Sequence, residues 1–108
     1  DWKLPAEQLA RQVRAYDPWP GTFTLFQGQL LKVLAATAVP ESAGAPPGTI
    51  VGVVRQPGPD AIAVATGAGT FLITRLQLAG RKPVGAAEFA RGQRRLIGTV
   101  LVSGTVEE

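Results

Sequence analysis

Between Thr22 and Ala79, glycines and prolines cut the chain into short alternating segments, and this punctuation constrains the fold more than any other feature. TFTLF (22–26) meets the turn QGQ and then LLKVLAATAV (30–39), so the two read as a hairpin. In the longer segment Leu31, Val33, Ala35, Thr37 and Val39 share one face, while Leu30, Lys32 and Leu34 share the other. PESAGAPPG (40–48) has no period and reads as a surface loop. Beyond it come TIVGVV, the turn QPGPD, AIAVAT, the turn GAG and TFLITRLQLA. The last of these places Leu72, Thr74, Leu76 and Leu78 on one face, with Arg75 and Gln77 on the other.

Helical spacing occurs twice. In PAEQLARQVRA (5–15) Ala6, Leu9, Ala10 and Val13 form an apolar stripe opposite Glu7, Arg11 and Arg14, and Pro5 suits the first turn. Ala86, Phe89 and Ala90 allow one short helix, with Gly92 at its stop, before a last apolar stretch LIGTVLV. Five strands of modest length and two short helices predict a mainly β fold, a small closed antiparallel barrel, with a β-sandwich as the competing architecture.

Composition removes most catalytic chemistry. The chain has no cysteine, no histidine and no asparagine, so it cannot by itself build a Ser-His-Asp or Cys-His set, nor a His- or Cys-based metal site. Eight carboxylates and one tyrosine remain, the carboxylates scattered except for Glu107 and Glu108. No apolar run approaches the ~20 residues of a membrane span, and no secretory leader is visible, so a soluble, cytoplasmic protein is expected. With no methionine and a helical pattern near the start, the chain reads as a single domain, 1–108, cut from a longer protein.

Charge points to a polyanionic partner. Three of the eight acids sit at the ends; between residues 2 and 106, eleven bases face five acids, a balance of +6. GRKP (80–83) puts Arg81 and Lys82 on a turn after the strand that carries Arg75, three cations available to one phosphate track. Arg11 is four residues from Glu7 and forms an ordinary helix pair, which leaves Arg14 free. Lys32 either snorkels from an apolar strand or meets phosphate. The RGQRR cations read as a solvated helix end, and GAGT as a hairpin turn, because it leads into a strand and not a helix. In YDPWPGTF, Pro18, Trp19, Pro20 and Gly21 read as a corner post between helix and barrel that fixes where Arg11 and Arg14 point.

Taken in order, the opening Asp1-Trp2, the helix, the Pro18-Trp19-Pro20 frame, ATGAG and LQLAGRKPVGAAEF resemble the C-terminal domain of methionyl-tRNA formyltransferase over nearly the whole chain. Segments 40–47 and 96–108 carry no such signal. The resemblance implies an OB-like barrel attached to an N-terminal Rossmann-like formyltransferase domain. That domain would hold the donor 10-formyltetrahydrofolate and the catalytic Asn, His and Asp, leaving no cofactor for this chain. It also implies that the chain binds initiator Met-tRNA largely through basic side chains; which of them touch phosphate is read from the residues themselves, with Arg81 and Lys82 foremost, then Arg11, Arg14 and Lys32, and last Arg75. Related formyltransferases that act on aminosugar nucleotides, or that hydrolyse 10-formyltetrahydrofolate, carry similar domains without using tRNA, so a purely structural barrel stays open. An independent single-strand binder ranks behind both, because its face would need aromatics that here also read as core.

Overall fold

A computed structural model describes residues 2–16, 22–56, 58–93 and 95–103. The elements are α1 (Ala6–Tyr16), β1 (Thr22–Phe26), β2 (Gln29–Val39), β3 (Ile50–Val54), β4 (Ala61–Ala65), β5 (Thr70–Leu78), β6 (Val84–Gly85), α2 (Ala86–Arg91) and β7 (Val102–Ser103). The strands form one antiparallel sheet in the order β3-β4-β5-β2-β1-β7, and β6 pairs with β5 beyond the end of β4. Among the described residues no helix is long and apolar enough to cross a membrane.

The mainly β prediction with one N-terminal and one short C-terminal helix holds, but the sheet is an open half-barrel and not a closed barrel. The physical cause lies in LIGTVLV. Gly98 adopts φ +93°, and Thr99 N–H donates to Leu96 O across a turn, so the stretch cannot run extended from residue 96. Only Val102–Ser103 is left as strand there, paired with β1. Residues 98–101 reach the other edge through the single bridge Thr49↔Val100 and a few backbone bonds, such as Leu101 N–H to Gly48 O at 2.7 Å. These bonds do not amount to a strand ladder.

The β1–β2 hairpin turns at Gln27 and Gly28, both at positive φ, as a two-residue turn between right-twisted strands requires. Along β2 the predicted faces hold only as far as Val33. The β2–β5 register is irregular between Val33 and Ala36, where Ala35 stands opposite Arg75 and the Thr74 hydroxyl donates to Ala35 O at 3.2 Å. Paired bulges shift both strands by one position, so Leu31 and Val33 are followed inward by Ala36, and Leu78 and Leu76 by Ile73 and Phe71. Thr37 is exposed, and Leu72 faces the opposite side from Leu76.

Most buried side chains form one core, in which Leu9 and Val13 of α1 meet Leu31, Val33, Ile73 and Leu76 of the sheet. Phe26 and Phe89 join α2 to it edge-on, with centroids 5.3 Å apart. Strand β4 is buried throughout: Ile62 and Val64 point into the main core, while Ala61 and Ala63 pack with Leu72 on the other side. The GAG turn docks the N-terminal segment. Gly67 N–H donates to Trp2 O and Ala6 N–H to Ala68 O, and a Cβ on Gly67 would lie 1.7 Å from Lys3 O, so only glycine permits the approach.

Candidate nucleic-acid interface

Lys32 and Arg75 stand on the outer face of the sheet because their neighbours Leu31, Val33 and Leu76 are in the core. Lys32 is half-buried and lies opposite Gln77 in the β2–β5 register, whereas Arg75 is exposed between Ala35 and Gly85. From this face Gln77 reaches past the strand end. Its Nε2 donates to Arg81 O at 2.8 Å. The same turn is held by Arg81 N–H on Leu78 O and by Ala79 N–H on Leu30 O, and Gly80 turns the chain at φ +78°. The backbone of Arg81 is therefore fixed on both sides, while its side chain and that of Lys82 are exposed.

A cleft of about 380 Å³ opens beside this turn, lined by Leu78, Arg81, Lys82, Glu88, Phe89 and Gln93. Ala86 and Phe89 bury one side of α2, and the helix ends at Gly92, whose N–H bonds back to Phe89 O, as the GAAEFARG pattern predicts. Glu88 gives the cleft one acidic wall, so it suits a group carrying both acceptor and donor atoms better than a bare anion.

The two helix cations occupy a different surface. Ala6, Leu9, Ala10 and Val13 pack into the core, which puts Arg11 and Arg14 on the solvent side of α1, away from the outer sheet face of Lys32 and Arg75. Arg11 Nη1 lies 3.6 Å from Glu7 Oε2, both side chains largely exposed (59% and 80%). Arg14 lines a second cleft of about 640 Å³ between α1 and the end of β2, together with Pro5, Ala10, Val39 and Gly69. The six candidate cations thus divide into Lys32, Arg75, Arg81 and Lys82 on the β2–β5 face and its exit turn, and Arg11 and Arg14 on the helix.

Pro18, Trp19, Pro20 and Gly21 lie outside the described residues, as does Arg94 of RGQRR. A buried tryptophan with a corner role does occur in the fold, and it is Trp2. Its Nε1 donates to Thr24 Oγ1 at 3.1 Å, its ring meets Phe71 edge-on at 5.4 Å, and Thr24 Oγ1 donates to Val102 O. Sequence reasoning also passed over Gln77, whose only signal is its place as an outward polar residue four before Arg81. Arg55, the other omission, sits 4.0 Å from Asp60 and lines a small groove with Arg91. Among the described residues no three His, Cys, Asp or Glu side chains gather to hold a metal ion.

The family model described as the formyl transferase C-terminal domain matches residues 1–94. The chain belongs to that family. This formyl transferase C-terminal domain is 46% identical over 98 residues to the methionyl-tRNA formyltransferase of Burkholderia pseudomallei (strain 668), covering 91% of the chain and 29% of that relative. The methionyl-tRNA formyltransferase of Thiobacillus denitrificans is 44% identical over 102 residues, 94% of the chain and 32% of the relative. That of Roseiflexus sp. (strain RS-1) is 42% identical over 95 residues, 87% and 28% respectively. The domain thus spans under a third of the length of these relatives.

Proposed function

We propose that this chain is the RNA-positioning part of a methionyl-tRNA formyltransferase that works in the cytoplasm during translation initiation. In this reading it grips the phosphate backbone of initiator Met-tRNA. A formyl transferase domain N-terminal to it binds 10-formyltetrahydrofolate and passes the formyl group to the methionyl amino group. The relatives' names supply the acceptor, and the observation that carries the reading is the turn held by Gln77, which presents Arg81 and Lys82 on a fixed backbone at the exit of the strand that carries Arg75.

The contribution to rate is positional. Holding the acceptor turns the attack on the formyl carbon into an effectively intramolecular step, and this needs no proton-transferring group from a chain that lacks histidine. Backbone contacts set register and orientation without reading sequence, which suits long exposed cations on a rigid support. Arg81, Lys82, Arg75 and Lys32 form the main contact surface, and Arg11 and Arg14 add to the general field.

The test is a titration of labelled initiator tRNA with this chain at about 50 and about 200 mM salt. Three to four phosphate contacts give a logarithmic slope of roughly −2 to −4, at about −0.7 to −0.9 per contact. Absence of binding at the lower salt contradicts the reading. It would favour the structural barrel of a formyl transferase with another acceptor.

A further inference from the structure

The cleft beside the exit turn gathers opposite charges that do not meet. The turn brings Arg81 and Lys82 to it and α2 brings Glu88, yet among the described residues no ion pair or side-chain hydrogen bond engages the Glu88 carboxylate. Arg91, three residues along α2 and the ordinary helix partner for Glu88, lines the separate groove of Arg55 and Asp60 instead. The remaining walls are apolar or amide. Leu78 and Phe89, 8% and 7% exposed, give a floor, and Gln93, half-buried just past the end of the helix, adds a group that both donates and accepts. Some 380 Å³ of space over such a floor, with a few polar groups around it, has the size and make-up of a small-ligand site.

The polar groups restrict the ligand. A carboxylate only accepts, so its partner must donate, and its two oxygens suit two adjacent donors. Of the four RNA bases, guanine alone presents that pair on its Watson–Crick edge, N1–H and the N2 amino group, with the O6 acceptor beside them. Adenine and cytosine offer one amino group there, and the N3–H of uracil is flanked by two carbonyls that a carboxylate repels. The two cations match a phosphate, and they stand at the exit of the strand that carries Arg75. A zwitterionic amino acid would occupy Glu88 and one cation, leaving the second cation without a role.

We infer that this cleft takes one unpaired guanine of a bound RNA. The Glu88 carboxylate accepts from N1–H and the N2 amino group, the Gln93 amide donates to O6, and Arg81 and Lys82 hold the adjoining phosphate. The base lies on the Leu78–Phe89 floor and is recognised by its edge, as bases turned out of RNA helices are. Glu88 thereby becomes a specificity-determining residue beside cations that read no sequence. The guanine site builds on the proposed tRNA grip, and the two fail separately when short oligomers are compared with tRNA.

Labelled hexauridylate and its derivatives with one central guanosine, inosine or adenosine are titrated with this chain at about 50 mM salt. The guanosine oligomer is expected to bind about five- to tenfold more tightly than hexauridylate, and the inosine oligomer, which lacks only the N2 amino group, in between. Glu88→Gln should erase the advantage of guanosine over inosine. It should leave hexauridylate bound at least as tightly as before, since it removes an acid next to the phosphate-holding cations. The melting temperature should stay within about 2 °C, because the Glu88 side chain is exposed. Equal affinity for the four oligomers overturns the guanine site, as does a guanosine preference that survives Glu88→Gln. Absence of oligomer binding also overturns it; tRNA binding in that case keeps the phosphate grip alone, and absence of both removes the two together.

Discussion

Trp2 donates its indole N–H to Thr24 Oγ1 at 3.1 Å, and Thr24 donates its own proton to the Val102 carbonyl. One buried hydroxyl thereby ties the start of the chain to β1 and to the last strand, two segments that share no local sequence. Because the Trp2 ring also packs edge-on against Phe71, truncating it leaves both a cavity and an altered network. Trp2→Ala is expected to cost about 3–5 kcal/mol in urea unfolding. Trp2→Phe, which keeps a ring but loses the donor, should lose only about 0.5–1.5 kcal/mol beyond the difference in ring size. A Trp2→Ala loss under about 1 kcal/mol would show that the anchor is not structural.

Gly67 admits the N-terminal segment to the β4–β5 turn. In Gly67→Ala the new methyl would meet the Lys3 carbonyl, a backbone atom that cannot swing aside, so about 1–3 kcal/mol of destabilisation is expected. Gly52→Ala, with nothing within 4 Å, should stay within about 0.5 kcal/mol. Denaturation midpoints measured on the two variants together separate the close approach from a general intolerance of alanine.

Gln77 acts through Arg81. Gln77→Ala removes one exposed side-chain bond to the Arg81 carbonyl and no charge. Stability should fall by less than about 1 kcal/mol, while the Kd for tRNA rises about two- to fivefold at an unchanged salt slope. A changed slope would mean that a phosphate contact itself had been lost, and that Gln77 does more than hold the turn.

The Glu7–Arg11 pair is solvated on both sides, so Arg11→Ala should change stability by no more than about 0.5 kcal/mol. Its effect on tRNA affinity is expected to be smaller than that of Arg81→Ala measured at the same salt. Equal effects would place the RNA across both surfaces.

Local features were legible in the sequence. The stripe Ala6, Leu9, Ala10, Val13 is the buried face of α1, Gly92 ends α2, and QGQ, QPGPD and GAG each separate the predicted strands, because these patterns depend on spacing and on φ alone. Features set by distant partners were not legible. Alternation along LLKVLAATAV gives no sign that Ala35 and Thr74 bulge together, so it put Thr37 with Val33 and Leu72 with Leu76. The half-barrel was missed because the apolar character of LIGTVLV conceals a left-handed turn at Gly98. At the candidate site, the sequence alone put Arg81 and Lys82 on the turn after the strand that carries Arg75, yet only the register sets Lys32 opposite Gln77 and only the fold parts the helix cations from them.

The most direct test of the central claim is the salt dependence of initiator tRNA binding by the unaltered chain and by its Arg81→Glu/Lys82→Glu variant. If these side chains neutralise phosphates, the variant should bind at least about tenfold more weakly, with a logarithmic slope shallower by roughly 1.4–1.8 and an unchanged melting temperature. An affinity and slope equal to those of the unaltered chain would contradict the account.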